Sequence, residues 1–172
     1  IHGGDNREHA QHVERIIGRA PQASEAGLAA CDSRAWLLRD AVSDMRRRHI
    51  NLSSAVIVGT LAFELVGVDI GRVPGDADIA VGPRGRLASG LPKVQKGPLQ
   101  LSPNVDLMGS GRWLPFGTLT DDELASSPRY HMVVQPSGAK VARAELAYLK
   151  KCAAFRAKDA ADLKVLHARF AA

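Results

Sequence analysis

The sequence predicts an α/β (α+β) domain, in which helices pack on a small mixed sheet and further helices flank it at both ends. Apolar residues recur at helical spacing between Leu37 and Met45, and helical periodicity returns after Ala142. Between them, short apolar segments bounded by turn residues are typical of strands. With 172 residues the chain has room for one domain. The expected division is a helical N-terminal flank (1–50), a catalytic sheet core (52–135) and C-terminal helices (140–172).

The predicted elements follow in chain order. The expected helices are 7–19, a helix capped by Ser24, an amphipathic helix with Leu37, Leu38, Ala41, Val42 and Met45 on its apolar face, Leu61–Val66, Ala142–Ala157 and Ala160–Phe170. The expected strands are Ser54–Val58, Asp76–Val81, Val105–Met108 and an edge strand at Met132–Gln135. Residues 82–104 are expected to be a long loop with a strand near Leu99–Leu101, and 109–129 to be irregular.

Composition excludes several classes of protein. Hydrophobic residues are 45% and charged residues 24%, which is typical of a globular protein and excludes a wholly disordered or fibrous chain. The longest apolar stretch, from Ala55 to Val68, is interrupted by Glu64 and too short for a membrane helix. The cysteines, Cys31 and Cys152, do not form a disulfide framework pattern, so a reducing, cytoplasmic compartment is expected.

The net charge of +5 favours polyanionic partners such as nucleotides or nucleic acid. Arg46, Arg47 and Arg48 form the one compact basic cluster, and cations at the negative end of a helix dipole explain it equally well. A basic nucleic-acid-binding module built on this cluster remains a hypothesis, and it predicts strongly salt-dependent binding. Because aromatic residues are only 5%, no stacking platform for single strands is expected.

Gly59 and Thr60 lie where a predicted strand becomes a helix. Such a junction offers free backbone N–H groups to an anion, a glycine allows a phosphate to approach the backbone, and a hydroxyl adds a donor. An ordinary strand-to-helix turn is the alternative interpretation.

Asp76 and Asp78 are two residues apart on a predicted strand, so their carboxylates project from one face. Asp106, on the next strand, could add a third carboxylate. Carboxylates this close repel one another unless a cation lies between them, and Mg²⁺ prefers oxygen ligands. The alternative is a pair of turn carboxylates and an exposed strand residue, since about one Asp-x-Asp pair is expected by chance.

Cations crowd the boundary between the last two predicted helices. Lys151, Arg156 and Lys158 surround Asp159, which is placed as an N-cap, while Asp162 is interpreted as structural. A capped helix–helix turn with a surface ion-pair network would explain the same residues.

These motifs resemble, in order, the signature of the nucleotidyltransferase superfamily, the family of DNA polymerase β and the aminoglycoside nucleotidyltransferases. Gly59-Thr60, Asp76-Ala77-Asp78 and Asp106 match that signature, and Arg72 precedes the paired acids as in small members. The segment from Lys151 to Leu163 is similar to the Lys-x-x-Ala-x-Arg-x-Lys-Asp-x-x-Asp-Leu segment of the minimal AbiEii-type bacterial nucleotidyltransferases. The resemblance covers about residues 52–167.

The resemblance implies a polymerase-β-like fold and Mg²⁺-dependent transfer of a nucleoside monophosphate from a nucleoside triphosphate to an acceptor hydroxyl. Asp76, Asp78 and Asp106 would hold two Mg²⁺ ions, and Asp106 would also help to deprotonate the acceptor. The implied nucleotide-binding residues are Gly59, Thr60, Arg72, Lys151, Lys158 and Asp159. Candidate acceptors are RNA such as tRNA, a protein or a small molecule, and an antitoxin-type protein is a candidate partner. The alternative is a non-catalytic member that binds a nucleotide or a partner protein.

Overall fold

A computed structural model describes residues 35–93, 95–109, 119–154 and 156–170. These residues form a six-stranded mixed sheet with helices packed on it, so the predicted mixed α/β class is confirmed. The helices expected at 7–19 and after Ser24 lie outside the described residues, as does Cys31. None of the helices in the described ranges is long and apolar enough to cross a membrane.

The helices and strands have the following bounds. The strands are β1 (Ala55–Val58), β2 (Ala77–Val81), β3 (Leu99–Ser102), β4 (Val105–Leu107), β5 (His131–Val134) and β6 (Ala139–Ala142). The α-helices are α1 (Ala35–Arg47), α2 (Gly59–Leu65), α3 (Pro83–Ala88), α4 (Asp121–Ser126), α5 (Ala144–Ala154) and α6 (Ala160–Phe170). Two short 3₁₀ helices, Leu52–Ser54 and Ala157–Asp159, precede β1 and α6.

The sheet has the strand order β3-β4-β2-β1-β6-β5. At its centre β1 is antiparallel to β2, and β2 is parallel to β4. In this register Val58 lies opposite Asp78, and Asp78 lies beside Asp106. Because neighbouring residues of paired strands point to the same face, the acids of β2 and β4 share one face of the sheet.

Both faces of the sheet are buried. Alternate residues such as Ile57 and Ile79 face α1, whose predicted apolar face is buried as expected. Val56 and Ala80 belong to a second cluster, with residues of α4 and α5 on the opposite face. A third cluster joins α2, α5 and α6, and it fixes the C-terminal helices beside the end of β1.

The sheet core extends beyond the predicted range 52–135. Residues 139–142 form β6, which pairs with β1 inside the sheet, and the helix predicted from Ala142 begins at Ala144. Three of the four β6 residues are Ala or Lys, which are uncommon in strands, and the pairing partner lies more than eighty residues away.

The long loop expected at 82–104 contains α3, which begins with Pro83 at a position where a missing N–H costs nothing. Gly85 allows α3 to approach the strands, because a Cβ there would lie 2.7 Å from Oγ of Ser54 and 2.9 Å from Cγ1 of Val81. This helix was not predicted, because one glycine and one proline among its six residues give the segment a low helix propensity.

The irregular region expected at 109–129 contains α4, which begins with a capping box. The hydroxyl of Thr120 accepts from the Glu123 amide at 3.2 Å, and the Glu123 carboxylate accepts from the Thr120 amide at 2.8 Å. The Thr-x-x-Glu spacing is a sequence signal for a helix start that could have predicted α4.

Candidate functional site

Three carboxylates converge beside β2 and β4. One oxygen each from Asp76, Asp78 and Asp106 lies within 4.8 Å of the other two. Asp78 and Asp106 are register partners of parallel strands, and Asp76 precedes β2 on the same face. Within the described residues, this is the one group of three acidic, histidine or cysteine side chains close enough to share an ion.

The group fits a divalent cation. Octahedral Mg²⁺ with oxygens at about 2.1 Å separates its ligand atoms by roughly 3.0 to 4.2 Å, so the 4.8 Å group needs only small side-chain rotations. Burial, followed by the negative charges of Asp76 and Asp106, raises the pKa of Asp78 to about 6. A cation among the three carboxylates would remove this repulsion.

Gly59 packs against this acidic group. Its φ is +71°, in the left-handed region that favours glycine. A Cβ at Gly59 would lie 3.2 Å from Cγ of Asp78 and would overlap Oδ2. The start of α2 therefore leaves no room for a side chain between Gly59 and the Asp78 carboxylate, which an ordinary strand-to-helix turn does not require.

One cavity of about 560 Å³ adjoins the three acids. Its volume falls in the range of ligand-binding pockets. All nine residues assigned to the site from the sequence line this cavity: Gly59, Thr60, Arg72, Asp76, Asp78, Asp106, Lys151, Lys158 and Asp159. Residues from β1 to the C-terminal helices thus meet at one place.

Arg72 is held at the cavity by two partners. Its Nε and Nη2 donate to the two carboxylate oxygens of Asp162 at 2.7 and 2.8 Å, and Nη2 also donates to Oγ1 of Thr60 at 2.9 Å. The hydrogen bonds to Asp162 raise the pKa of Arg72. A fixed, permanently charged guanidinium therefore lies beside the Gly59–Thr60 turn.

Lys151 has a different environment from the one expected of a nucleotide ligand. Its Nζ donates to Asp159 and to Asp162, each at 2.8 Å, and the residue is only 5% exposed. Lys151 and Asp159, which the sequence places at the same helix boundary, are therefore in contact. The carboxylate of Asp159 is used by Lys151 and by Arg156, whose Nε donates at 2.6 Å, although its position before α6 had suggested an N-cap.

The other cations lie closer to solvent. Arg156 and Lys158 are exposed, line the cavity and lower the pKa of Asp78 through their charges. Lys150 also lines the cavity, and its pKa is lowered, because burial outweighs the opposite effect of the charge of Asp121. Positive charge thus surrounds the acidic group.

Sequence reasoning missed several residues of this site. Asp162, interpreted from the sequence as structural, is buried and joins Lys151 to Arg72, which lies ninety residues before Asp162 in the chain. Its place in the Lys-Asp-x-x-Asp segment was the signal that could have found it. Asp121 and Lys150 line the same cavity, and no motif in the sequence singles them out.

Two histidines and the basic cluster of α1 have ordinary structural roles. His131 is buried with Nδ1 2.9 Å from the Leu124 carbonyl oxygen, and His167 contacts the Tyr148 hydroxyl at 2.6 Å. Arg46 and Arg47 lie in the last turn of α1, where Arg47 pairs with Asp44.

The candidate site combines two features of the fold. Its geometry joins a candidate metal centre to a cavity lined by cations. Comparison of the chain with protein-family models, with curated proteins and with solved structures found no match.

Proposed function

We propose that this chain is a Mg²⁺-dependent nucleotidyltransferase that moves a nucleoside monophosphate from a nucleoside triphosphate to an acceptor hydroxyl. One observation carries the proposal: the oxygens of Asp76, Asp78 and Asp106 lie within 4.8 Å of one another at a cavity that basic side chains also line. Acids for a divalent cation and cations for phosphates are the parts that phosphate transfer needs.

The roles of the acids follow from their positions. Mg²⁺, when bound, would polarise the phosphate and lower the pKa of the attacking hydroxyl. Asp78, on β2, and Asp76, in the turn before β2, would hold the metal from one side. Asp106, on β4, would complete the ligand set and accept the proton of the acceptor hydroxyl.

The transfer needs only the nucleoside triphosphate, the acceptor and these groups. The acceptor oxygen forms a bond to the α-phosphorus, the bond between the α- and β-phosphates breaks, and pyrophosphate leaves. Gly59 leaves room for the Asp78 carboxylate beside the turn, and Arg72 supplies a charged donor to phosphate beside Thr60. Positioning and electrostatics would supply most of the rate enhancement.

The rest of the cavity suits a nucleoside. Val58, Ala80, Met108 and Ala147 add apolar surface among the lining residues, on which a base and ribose could pack. The net charge of +5 favours a polyanionic acceptor, of which RNA, including tRNA, is the first to test.

The test is transfer of label from nucleotides labelled at the α-phosphate. The protein is incubated with Mg²⁺, each of ATP, GTP, CTP and UTP in turn, and either total RNA or a protein extract. We expect one nucleotide to label an acceptor, and the label to disappear when Mg²⁺ is chelated. Asp78→Asn should reduce labelling by at least about 100-fold.

Asp40→Asn is the matched control, because the same change is made on an exposed residue of α1. It should label at the wild-type rate. Labelling by Asp78→Asn at that rate would contradict the metal assignment. Transfer from γ-labelled nucleotide would indicate a kinase, and nucleotide binding without any transfer would indicate a non-catalytic binding protein.

A further inference from the structure

Asp162 is buried at the start of α6, and both of its carboxylate oxygens are used. Oδ1 accepts from Nε of Arg72, while Oδ2 accepts from Nη2 of Arg72 and from Nζ of Lys151. Its side chain is 1% exposed, whereas that of Arg72 is 44% exposed. The buried acid therefore anchors a cation that reaches towards solvent.

The anchored guanidinium contacts the candidate phosphate site. Nη2 of Arg72 donates to Thr60, the residue after Gly59, and Arg72 lies four residues before Asp76. Within the described part of the chain, the other terminal nitrogen of Arg72, Nη1, donates no hydrogen bond. Arg72 lines the cavity, and its Nη1 retains its capacity to donate a hydrogen bond.

Lys151 also binds the Asp162 carboxylate that holds Arg72. It is buried between Asp162 and Asp159, and its charge offsets the two carboxylates. Apolar residues of similar volume are often as stable as a buried ion pair. A group of buried charges beside a cavity is therefore better explained by the alignment of a functional side chain than by stability.

We propose that Asp162 is a positioning residue for triphosphate binding, which holds Arg72 against Thr60 so that Nη1 can donate to a phosphate oxygen. The inference rests on the proposed function and adds to it. Without the two-point anchor, a side chain that is nearly half exposed would sample many rotamers, and binding a phosphate would have to order it. Asp162 touches no phosphate itself and acts through Arg72.

The first test separates nucleotide binding from metal binding. Affinity for α,β-methylene analogues of the four nucleoside triphosphates is measured by calorimetry with Mg²⁺, and affinity for Mn²⁺ alone by electron paramagnetic resonance. We expect Asp162→Asn to weaken binding of the best analogue at least about tenfold, because the anchor is lost. Its Mn²⁺ affinity should stay within about twofold of the wild type, as should both affinities of Asp40→Asn.

A double-mutant cycle asks whether Asp162 acts through Arg72. Arg72→Ala should weaken binding of the analogue on its own, and Asp162→Asn should then add little further loss. Full additivity of the two losses would show that Asp162 contributes independently of Arg72, and would overturn the inference.

The order of the Arg72 side chain distinguishes loss of the anchor from a general structural effect of Asp162→Asn. The side-chain Nε–H signal of Arg72 in ¹⁵N NMR should be sharp in the wild type and in Asp40→Asn, because Asp162 accepts from it. It should broaden or vanish in Asp162→Asn. If Asp162→Asn fails to fold, Arg72→Lys keeps the charge, breaks the two-point anchor from its exposed end, and should show the same tenfold loss.

The possible failures can be told apart. If the wild type binds no analogue, the proposed function is wrong and the inference falls with it. If the wild type binds and both Asp162→Asn and Arg72→Lys bind equally well, the inference alone is wrong.

Discussion

Gly59 has left-handed backbone dihedral angles, and a Cβ built on it would collide with the carboxylate of Asp78. A Gly59→Ala change would add the cost of left-handed backbone, about 1–2 kcal/mol, and would push the Asp78 carboxylate away from Asp76 and Asp106. We therefore expect Gly59→Ala to lower the free energy of unfolding and to weaken Mn²⁺ binding at least about tenfold. Urea unfolding and electron paramagnetic resonance measure the two effects.

Gly67→Ala is the matched control for Gly59→Ala. Gly67 has φ +76°, but a Cβ there would meet nothing within 4 Å. Its free energy of unfolding should fall by a similar amount while Mn²⁺ affinity stays at the wild-type value. Equal loss of Mn²⁺ affinity in both variants would show that the contact between Gly59 and Asp78 is not part of a metal site.

Lys151 shows where residue-level prediction from sequence stops. The sequence places Lys151 and Asp159 at one helix boundary, and the two side chains are in contact. The contact of Lys151 with Asp162 was not predicted, since the direction of the Asp162 side chain depends on how α6 packs. Two carboxylates on one buried ammonium give Lys151 a supporting role, which the motif alone does not reveal.

Among the elements, β2 and β4 bring the acids together. Both strands were predicted, because alternation of acidic and apolar residues is strong in each segment. Their parallel pairing, with Asp78 beside Asp106, depends on the whole sheet and was not predicted. The insertion of β6 beside β1 was missed for the same reason: Ala and Lys, which make up three of its four residues, are uncommon in strands, and the pairing with β1 specifies it.

The capping box of α4 provides a test at the scale of the element. Thr120→Ala removes the hydroxyl that accepts from the Glu123 amide, and a lost N-cap costs about 1 kcal/mol. Leu124 is fully buried in the core on that face of the sheet, so the loss should appear in global stability. We expect urea unfolding to show a free energy lower by about 1 kcal/mol.

Thr120→Ser keeps the hydroxyl and is the control for the cap. Its free energy of unfolding should remain within about 0.5 kcal/mol of the wild type. If Thr120→Ser and Thr120→Ala are destabilised equally, the cap does not contribute to the stability of α4.

At the scale of the whole molecule, the ion network ties α6 to the turn before β2, and it predicts a pH dependence. Burial opposes ionisation of Asp159 and Asp162, but hydrogen bonds from Arg156, Arg72 and Lys151 outweigh it and lower the pKa of both carboxyls. As the pH falls, the carboxyls of Asp159 and Asp162 therefore become protonated in the unfolded chain, where their pKa values are near 4, before they do so in the folded protein. Their stabilisation is complete above about pH 5 and is lost as the pH falls through 4 towards the lowered values.

Comparison of wild type with Asp162→Asn isolates this contribution. At pH 6 the variant should be less stable by about 3 kcal/mol, because the buried cations lose a partner. The difference in free energy of unfolding, measured with urea from pH 6 to pH 3, should shrink as the pH falls. A constant difference across that range would contradict the lowered pKa of Asp162.

The cavity is a property of the whole molecule too. Its lining runs in sequence from Val58 to Asp159, and no local pattern specifies such a space. The nine residues singled out from the sequence, by their motifs and by the resemblance, all line this cavity, whereas the apolar lining, Lys150 and Asp121 resemble any other helix or strand residues. The sequence therefore indicates candidate groups, but not the shape of the space in which they meet.

The proposed function requires Asp76, Asp78 and Asp106 to share a divalent cation. Anomalous diffraction from crystals grown with Mn²⁺ would locate that ion. We expect a peak within bonding distance of oxygens from all three carboxylates in the wild type, and no peak there in Asp78→Asn. A wild-type crystal saturated with Mn²⁺ that shows no peak at these carboxylates, or a peak bound by only one of them, would contradict it.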